Sequence, residues 1–182
     1  SDISVAVDGI TTVINAFKLS ADDAGRVADV MFKTVALGKT NFAELSATIA
    51  TVAPLAAASG VAFEEVFAAV ATLTKAGNKT AVSMTMIRAA LLSVNEQLGD
   101  GWAETMSLQE AFIKLTEMAG GTGTSLKDLM GRVEGYMAVI GLAGENSNGA
   151  AAALAEMTSA AGTLDEAMSG TSTQAKAWDR LV

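Results

Sequence analysis

Residues 19–77 read LSADDAGRVADVMFKTVALGKTNFAELSATIATVAPLAAASGVAFEEVFAAVATLTKAG, and one helical unit recurs along them every 21 positions. In each unit an acid follows three positions after the starting residue. The pairs are Ser20 with Asp23, Asn41 with Glu44, and Ala62 with Glu65. A Ser or Asn side chain accepts a free backbone N–H of the first helical turn, and the positive helix end stabilises the acid. The stretch therefore predicts a succession of similar helices.

Each unit continues with mostly apolar residues and ends at or near a glycine, which is Gly38, Gly60 or Gly77. Glycine is common just past a helix end because it adopts the left-handed conformation without a steric penalty. Caps and glycines thus alternate along the chain, which predicts helices folded back on each other. We expect an all-α fold, an array of about nine or ten short-to-medium helices packed as antiparallel hairpins.

Six short runs in this part of the chain carry a family resemblance. They are residues 19–24, 27–32, 37–45, 52–56, 60–66 and 73–77, and weaker matches follow at residues 131–135 and 157–162. In these runs the chain resembles the conserved helical region of phage tail tape-measure proteins. One departure is Ala62, where the family usually places a Ser or a similar cap. The missing cap weakens one helix start by about 1 kcal/mol.

The resemblance implies that residues 1–182 are one helical module of a longer tape-measure protein. Residues 1–99 are its strongly family-like helical repeat part, and residues 100–182 are a helical part with more glycine interruptions. The chain starts at Ser1 rather than Met and ends at Val182 inside an apparent helix. Both ends therefore look like cuts from a longer polypeptide.

The composition limits both the core and the chemistry of this chain. Hydrophobic residues make up 51% of it but aromatic residues only 5%, and 36 residues are alanine. Such helices approach each other closely, and each buries little area. The chain has no His and no Cys, which excludes thiol nucleophiles, disulfides, His or Cys metal sites and the usual general base at neutral pH.

Three pairs of adjacent acids are the remaining candidates for chemistry. They are Asp22 with Asp23, Glu64 with Glu65, and Asp165 with Glu166. All three fall in predicted first helical turns, where carboxylates stabilise the helix dipole. We therefore expect no enzymatic activity and no catalytic, cofactor-binding or metal-binding residue. The net charge of −8, most of it in residues 92–182, predicts no direct nucleic-acid binding.

One long segment without charge raises the question of a membrane span. Residues 45–63 are long enough to cross a bilayer, but they are rich in Ala and Thr and include Pro54 and Gly60. A buried core helix followed by a turn is favoured. We expect the helix that starts near Asn41 to continue through Pro54 with a kink.

In the second half of the chain, capping residues and glycines indicate where helices begin and end. A helix is expected to start at Ser125, and its apolar face is expected to hold Leu129, Met130, Val133, Met137 and Ile140. Gly131 and Gly135 predict either a tight helix crossing or a helix break. Loops are expected at residues 120–124 and 144–149. Thr163 and Glu166 are expected to form a capping box.

The family resemblance implies a structural phage tail protein. It implies a scaffold for tail tube assembly that sets tail length, sits in the tube lumen or at the tail tip of the virion, and leaves ahead of the DNA. The implied partners are further copies of the same protein, tail tube proteins and tail-tip or baseplate proteins. After ejection, the implied location is the host cell envelope, with membrane contact along a path for the DNA.

Two other function classes stay open on the residues alone. One is a membrane-active helical pore former, and the other is a helical adaptor that binds other proteins. A ruler needs uninterrupted helix at 1.5 Å per residue, whereas caps and glycines break this chain about every 20 residues. We therefore expect a compact module attached to the ruler.

Overall fold

A computed structural model describes residues 2–122, 125–143 and 147–169, and in these ranges it contains helices and no strand. The helices are α1 (Asp2–Phe17), α2 (Ala24–Leu37), α3 (Phe42–Thr48), α4 (Ala53–Ala58), α5 (Phe63–Lys75), α6 (Thr80–Leu98), α7 (Leu108–Thr122), α8 (Leu126–Met130), α9 (Val133–Ala143) and α10 (Ser147–Thr158). Residues 163–169 are also helical. The all-α prediction is confirmed.

The helix starts predicted from the 21-residue repeat form as their local chemistry dictates. The Ser20 backbone N–H donates to Asp23 Oδ2 over 3.0 Å, and the Glu44 backbone N–H donates to Asn41 Oδ1 over 2.9 Å. The two hydrogen bonds that Asp23 accepts from Ser20 lower the pKa of its carboxyl group. Ala62 precedes α5 in an extended conformation and supplies no side-chain cap. The sequence reading of all three starts is therefore confirmed.

The glycine that follows α2 was assigned the wrong role. Gly60 and Gly77 have φ of +80° and +104°, as predicted, but Gly38 has φ of −99°, which any residue adopts. A Cβ atom on Gly38 would lie 2.5 Å from Thr74 Oγ1 and 3.1 Å from the Cα of Ala71. Gly38 is therefore needed for the close approach of α2 to α5, and not for a left-handed turn.

The predicted kink at Pro54 is also wrong, because the chain breaks there into two helices. α3 ends at Thr48, a 3₁₀ turn covers Ile49–Thr51, and α4 begins at Ala53 with Pro54 in its first turn. Proline lacks the N–H that a helix interior needs, whereas a first turn leaves that donor free anyway. No helix of the described residues is long and apolar enough to cross a membrane.

α5 is the central helix of the fold, and α2, α4, α6, α9 and α10 all pack against it. Phe63, Val66, Phe67, Val70 and Leu73 form one apolar face of α5, and this face is buried. The opposite side is buried as well, so that eleven of its thirteen residues lie in the core. Alanines at positions 68, 69 and 71 let neighbouring helices approach that second side closely. Consecutive helices such as α5 and α6 also pack on each other, in agreement with the expected hairpins.

Several boundaries after residue 100 differ from the predictions. Gly120 and Gly121 continue α7, and Gly149 lies in α10, so the predicted loops are shorter than expected. Residues 123–124 and 144–146 of those loops lie outside the described residues. Thr163 does not form the capping box with Glu166, and its Oγ1 is buried without a hydrogen-bond partner. Trp102 is buried, and its Nε1 donates to Asn95 Oδ1 over 2.7 Å.

Candidate interaction surface

The segment after Ser125 forms two helices because Gly131 breaks it. The Ser125 side chain accepts the backbone N–H of Asp128 at the start of α8, as predicted, and α8 ends at Gly131 with φ of +62°. The Ser93 hydroxyl of α6 donates to the Met130 carbonyl over 2.6 Å at that end. The chain then re-enters a helix at Val133 as α9. The two expectations for these glycines, a break and a tight crossing, are both met.

Gly135 provides the tight crossing of α9 over α6. A Cβ atom at this position would lie 3.2 Å from the carbonyl carbon of Ala89 and 3.2 Å from the nitrogen of Ala90. Any larger residue would have to push the two backbones apart. The crossing therefore fixes which side of α9 faces the core.

The buried side of α9 carries mostly small residues, and its large apolar residues point outward. Gly135, Ala138, Val139 and Leu142 are buried. Val133 is 58% exposed, Met137 48% and Ile140 46%. These three residues were predicted on the apolar face of the helix, which normally faces the core, but they point outward, because the contact with α6 admits the smaller side chains. We call Val133, Met137 and Ile140 the α9 stripe.

The α9 stripe is a continuous apolar face rather than a set of isolated exposed side chains. Its members are spaced four and three residues apart, which puts them on one side of a helix. The only charged residue within α9 is Glu134. A helix that is apolar on all sides is normally covered on all sides, and exposed apolar patches mark sites of protein contact. The α9 stripe is therefore the candidate interaction surface of the described residues.

Both acids of the Glu64–Glu65 pair, which was considered for catalysis, have structural partners. Glu64 forms an ion pair with Arg26, whose guanidinium also lies 4.7 Å from the centre of the Phe63 ring. The Glu65 carboxylate accepts the backbone N–H of Leu108 at the start of α7. Burial raises the pKa of Glu65, although this hydrogen bond acts in the opposite direction.

No group of three or more His, Cys, Asp or Glu residues in the described ranges is arranged to hold a metal ion. The expectation that the chain has no catalytic, cofactor-binding or metal-binding residue stays a prediction.

One buried carboxylate was missed by sequence reasoning. Asp29 lies in α2 and is only 8% exposed. Its two oxygens accept the backbone N–H groups of Gly162 over 2.7 Å and Leu164 over 2.9 Å. Asp29 thus caps the helical residues 163–169 from more than 130 positions away. The available signal was an acid between apolar neighbours, Val27-Ala28-Asp29-Val30-Met31.

Comparison with known proteins identifies the family. Residues 1–135, which include all of α1 to α8, match the family described as phage-related minor tail protein. The chain belongs to this family. The matched region contains the 21-residue repeat and the break at Gly131.

Two curated relatives of this minor tail protein carry more specific names. A probable tape measure protein of Clostridium phage phiCD119 is 29% identical over 175 residues. The tape measure protein of Pneumococcus phage Dp-1 is 26% identical over 147 residues. Each alignment covers 81% of this chain, but only 18% and 12% of the respective relatives. No solved structure matches the chain.

Family membership establishes the class of function. The chain is a structural protein of a phage tail, and its place is the virion. The predicted resemblance to tape-measure proteins is confirmed by the two relatives that carry that name. Because the chain spans less than a fifth of either relative, the activity of a whole tape-measure protein is a separate question.

Proposed function

We propose that this chain is a compact module of a tape-measure protein, which scaffolds assembly of the tail tube and sets tail length. The observation that carries this proposal is the alignment of 81% of the chain with two proteins named tape measure protein. Residues 1–182 act as one module in this proposal, and no enzymatic activity, cofactor, metal or nucleic-acid binding is part of it. Its partners are tail tube proteins, tail-tip or baseplate proteins and further copies of itself.

The shape of the fold supports a role beside the ruler and not as the ruler. Its longest helix, α6, has 19 residues, which corresponds to about 28 Å at 1.5 Å per residue. The remaining helices fold back around α5, so the chain gains little length per residue. We infer a place at the tail tip or in the tube lumen, where such a module starts assembly.

The proposal also includes two later steps: the protein leaves the tail ahead of the DNA, and it then contacts the host envelope. No described helix could span a membrane, so an envelope path would need helices other than those described or a rearrangement of them.

The experiment for the tape-measure role is peptide mass spectrometry on purified particles before and after triggered DNA release. We expect peptides from residues 1–182 in full particles and their depletion from emptied ones. Retention after release would instead assign the module to a fixed part of the tail tip. Absence from particles at both stages would overturn the tape-measure proposal.

We further propose that copies of the module contact each other through the α9 stripe. An antiparallel pair with Met137 on a two-fold axis places Val133 of one copy beside Ile140 of the other, because these residues lie four and three positions from Met137. The two Glu134 residues then lie on opposite sides of the two-fold axis, about 9 Å apart along the direction of the helices. A parallel pair would instead put those like charges side by side.

The size and charge of the module determine how this contact is tested. Three half-exposed side chains fall far short of the roughly 800 Å² that each partner buries in a stable complex, and each copy carries a net charge of −8. The contact is therefore expected where the copies are already held together, as in a tail. Covalent trapping detects such a weak contact, whereas measurement of the molecular mass at low concentration does not.

A matched pair of cysteine variants provides that trap, because the chain has no native Cys. Met137→Cys places a thiol on the proposed axis. Val82→Cys is the control, since Val82 on α6 is 46% exposed and Met137 48%. We expect disulfide-linked dimers of Met137→Cys to form at least tenfold faster than those of Val82→Cys under the same mild oxidation. Equal rates would mean random collision and would refute the α9 contact, while leaving the tape-measure role untouched.

A further inference from the structure

The last described segment of the chain packs on α5 and, less extensively, on α2, α9 and α7, with few large side chains at the contact. Residues 147–169, which we call the C-terminal strap, consist of α10, a turn and the helical residues 163–169. Only Ala150, Ala153 and Met157 of the twelve residues of α10 are buried. Two of these three are alanines, whose single methyl group buries little apolar area. The central helix α5, by contrast, has eleven buried residues.

Packing around the strap is open on both of its sides. One open cleft runs beside α10 and is lined by Leu37, Ala71, Thr72 and Ala152. A smaller gap lies on the other side, between Ala150, Leu154 and the Glu65 wall of α5. The strap also buries the Thr163 hydroxyl without a hydrogen-bond partner, which disfavours the closed position. The apolar contact of the strap is therefore extensive but made largely by small side chains, each of which buries little area.

Polar ties add to this attachment. Gln109 Nε2 of α7 donates to the Ser147 carbonyl over 2.6 Å, and Asp29 ties the strap to α2. Its buried carboxylate accepts two backbone N–H groups at the start of the helical residues 163–169. Lys33, one turn further along α2, pairs with Glu156 over 2.7 Å. That ion pair is partly exposed to solvent, where such pairs contribute little. A buried, charged acceptor with two donors is a stronger interaction.

We propose that the C-terminal strap is a releasable unit: it opens from α2, α5, α7 and α9 while α1 to α9 stay folded, and the Asp29 carboxylate is its latch. Opening leaves every helical hydrogen bond of α5 intact, because the strap contributes side-chain contacts to α5 and no backbone bonds. It uncovers the surfaces of α2 and α5 that the strap covers. The proposal concerns the isolated chain and does not depend on its role in a tail.

Hydrogen exchange of backbone amides, followed by mass spectrometry, tests the latch with a matched pair of variants. Asp29→Asn keeps the size of the side chain but replaces one acceptor oxygen with an amide group that cannot accept the second N–H. Asp22→Asn is the control, since Asp22 is an exposed acid beside the same helix. Circular dichroism of both variants confirms that the helices form.

In the unmodified chain we expect strap amides to exchange at least tenfold faster than those of α5 and α6. Asp29→Asn should speed exchange in the strap by about a further tenfold, the effect of losing one charge-assisted hydrogen bond, and leave α5 and α6 unchanged. Asp22→Asn should change neither. If Asp29→Asn accelerates exchange in the strap, α5 and α6 by the same factor, the strap opens only when the whole fold opens, and the proposal fails. Unchanged exchange in the strap would refute the latch.

Discussion

Replacing Gly38 with alanine tests the claim that a close helix approach, and not backbone conformation, requires glycine after α2. The φ of −99° at this position suits alanine, so a purely conformational argument predicts no cost. The added Cβ would, however, lie 2.5 Å from Thr74 Oγ1, 3.0 Å from the Thr34 carbonyl oxygen and 3.1 Å from the Ala71 Cα. Two of these three atoms belong to helix backbones and cannot move aside by rotation of a side chain.

The third atom is no easier to displace. Thr74 is fully buried, and its hydroxyl donates to the Val70 carbonyl over 2.8 Å and accepts the backbone N–H of Lys39 over 3.2 Å. Rotating it away would break both hydrogen bonds. Overpacking of this kind costs roughly 1 to 3 kcal/mol, and we take the middle of that range. For a domain of this size, a loss of 2 kcal/mol lowers Tm by about 4 to 8 °C.

Gly25→Ala is the matched control, because Gly25 lies in the first turn of the same helix and nothing stands within 4 Å of its added Cβ. Alanine there should stabilise the fold by about 0.5 to 1 kcal/mol, because it restricts the unfolded chain and favours the helix. Thermal and urea unfolding followed by circular dichroism measure both variants. A Gly38→Ala variant as stable as the unmodified chain would refute the close approach of α2 to α5.

Two further predictions concern the start of α5 and Glu65, an acid in its first turn. Ala62→Ser should raise the free energy of unfolding by about 1 kcal/mol, because Ala62 is exposed, extended and offers no cap; urea unfolding with an unchanged slope measures this. Glu65→Gln keeps an acceptor for the Leu108 N–H and removes a charge whose pKa burial raises. A raised folded pKa means that stability from Glu65 is present at low pH and lost as pH rises through that pKa. The variant should therefore gain stability over the unmodified chain as pH rises above 4, and a gain that is the same at every pH would contradict the assigned pKa shift.

The sequence predicted the features that depend on neighbouring residues. Ser20, Asn41 and Ser125 each start a helix by bonds to groups three positions away, so the residues alone determine the geometry. Gly60 and Gly77 follow the same logic. Gly38 does not, because glycine is required there by the contact with Thr74 and Ala71. These residues are more than 30 positions away, and the spacing along the chain does not reveal that they lie nearby. One residue type served two physical purposes, and the sequence pattern is the same for both.

The orientation of α9 failed for a different reason. The prediction placed Val133, Met137 and Ile140 on the apolar face of a helix, and such a face normally turns toward the core. In an alanine-rich fold the tightest contacts are made between backbones, and the smallest residues, such as Gly135, mark the buried side. The same rule explains α5, where the alanines behind its apolar face are buried too. In such a chain, a stripe of small residues predicts the core-facing side better than a stripe of large ones.

That rule connects the packing to the proposed behaviour of the strap. Close contact between small side chains fixes where helices lie, but each contact removes little apolar surface from water. The free energy that holds a peripheral helix then depends on a few specific ties, and Asp29 is such a tie. Its partners at positions 162 and 164 could not be found from periodicity, because no repeat relates them to α2. A carboxylate inside an apolar run was the visible sign, and in helices built from alanine such a residue should be examined first as an attachment point for a distant segment.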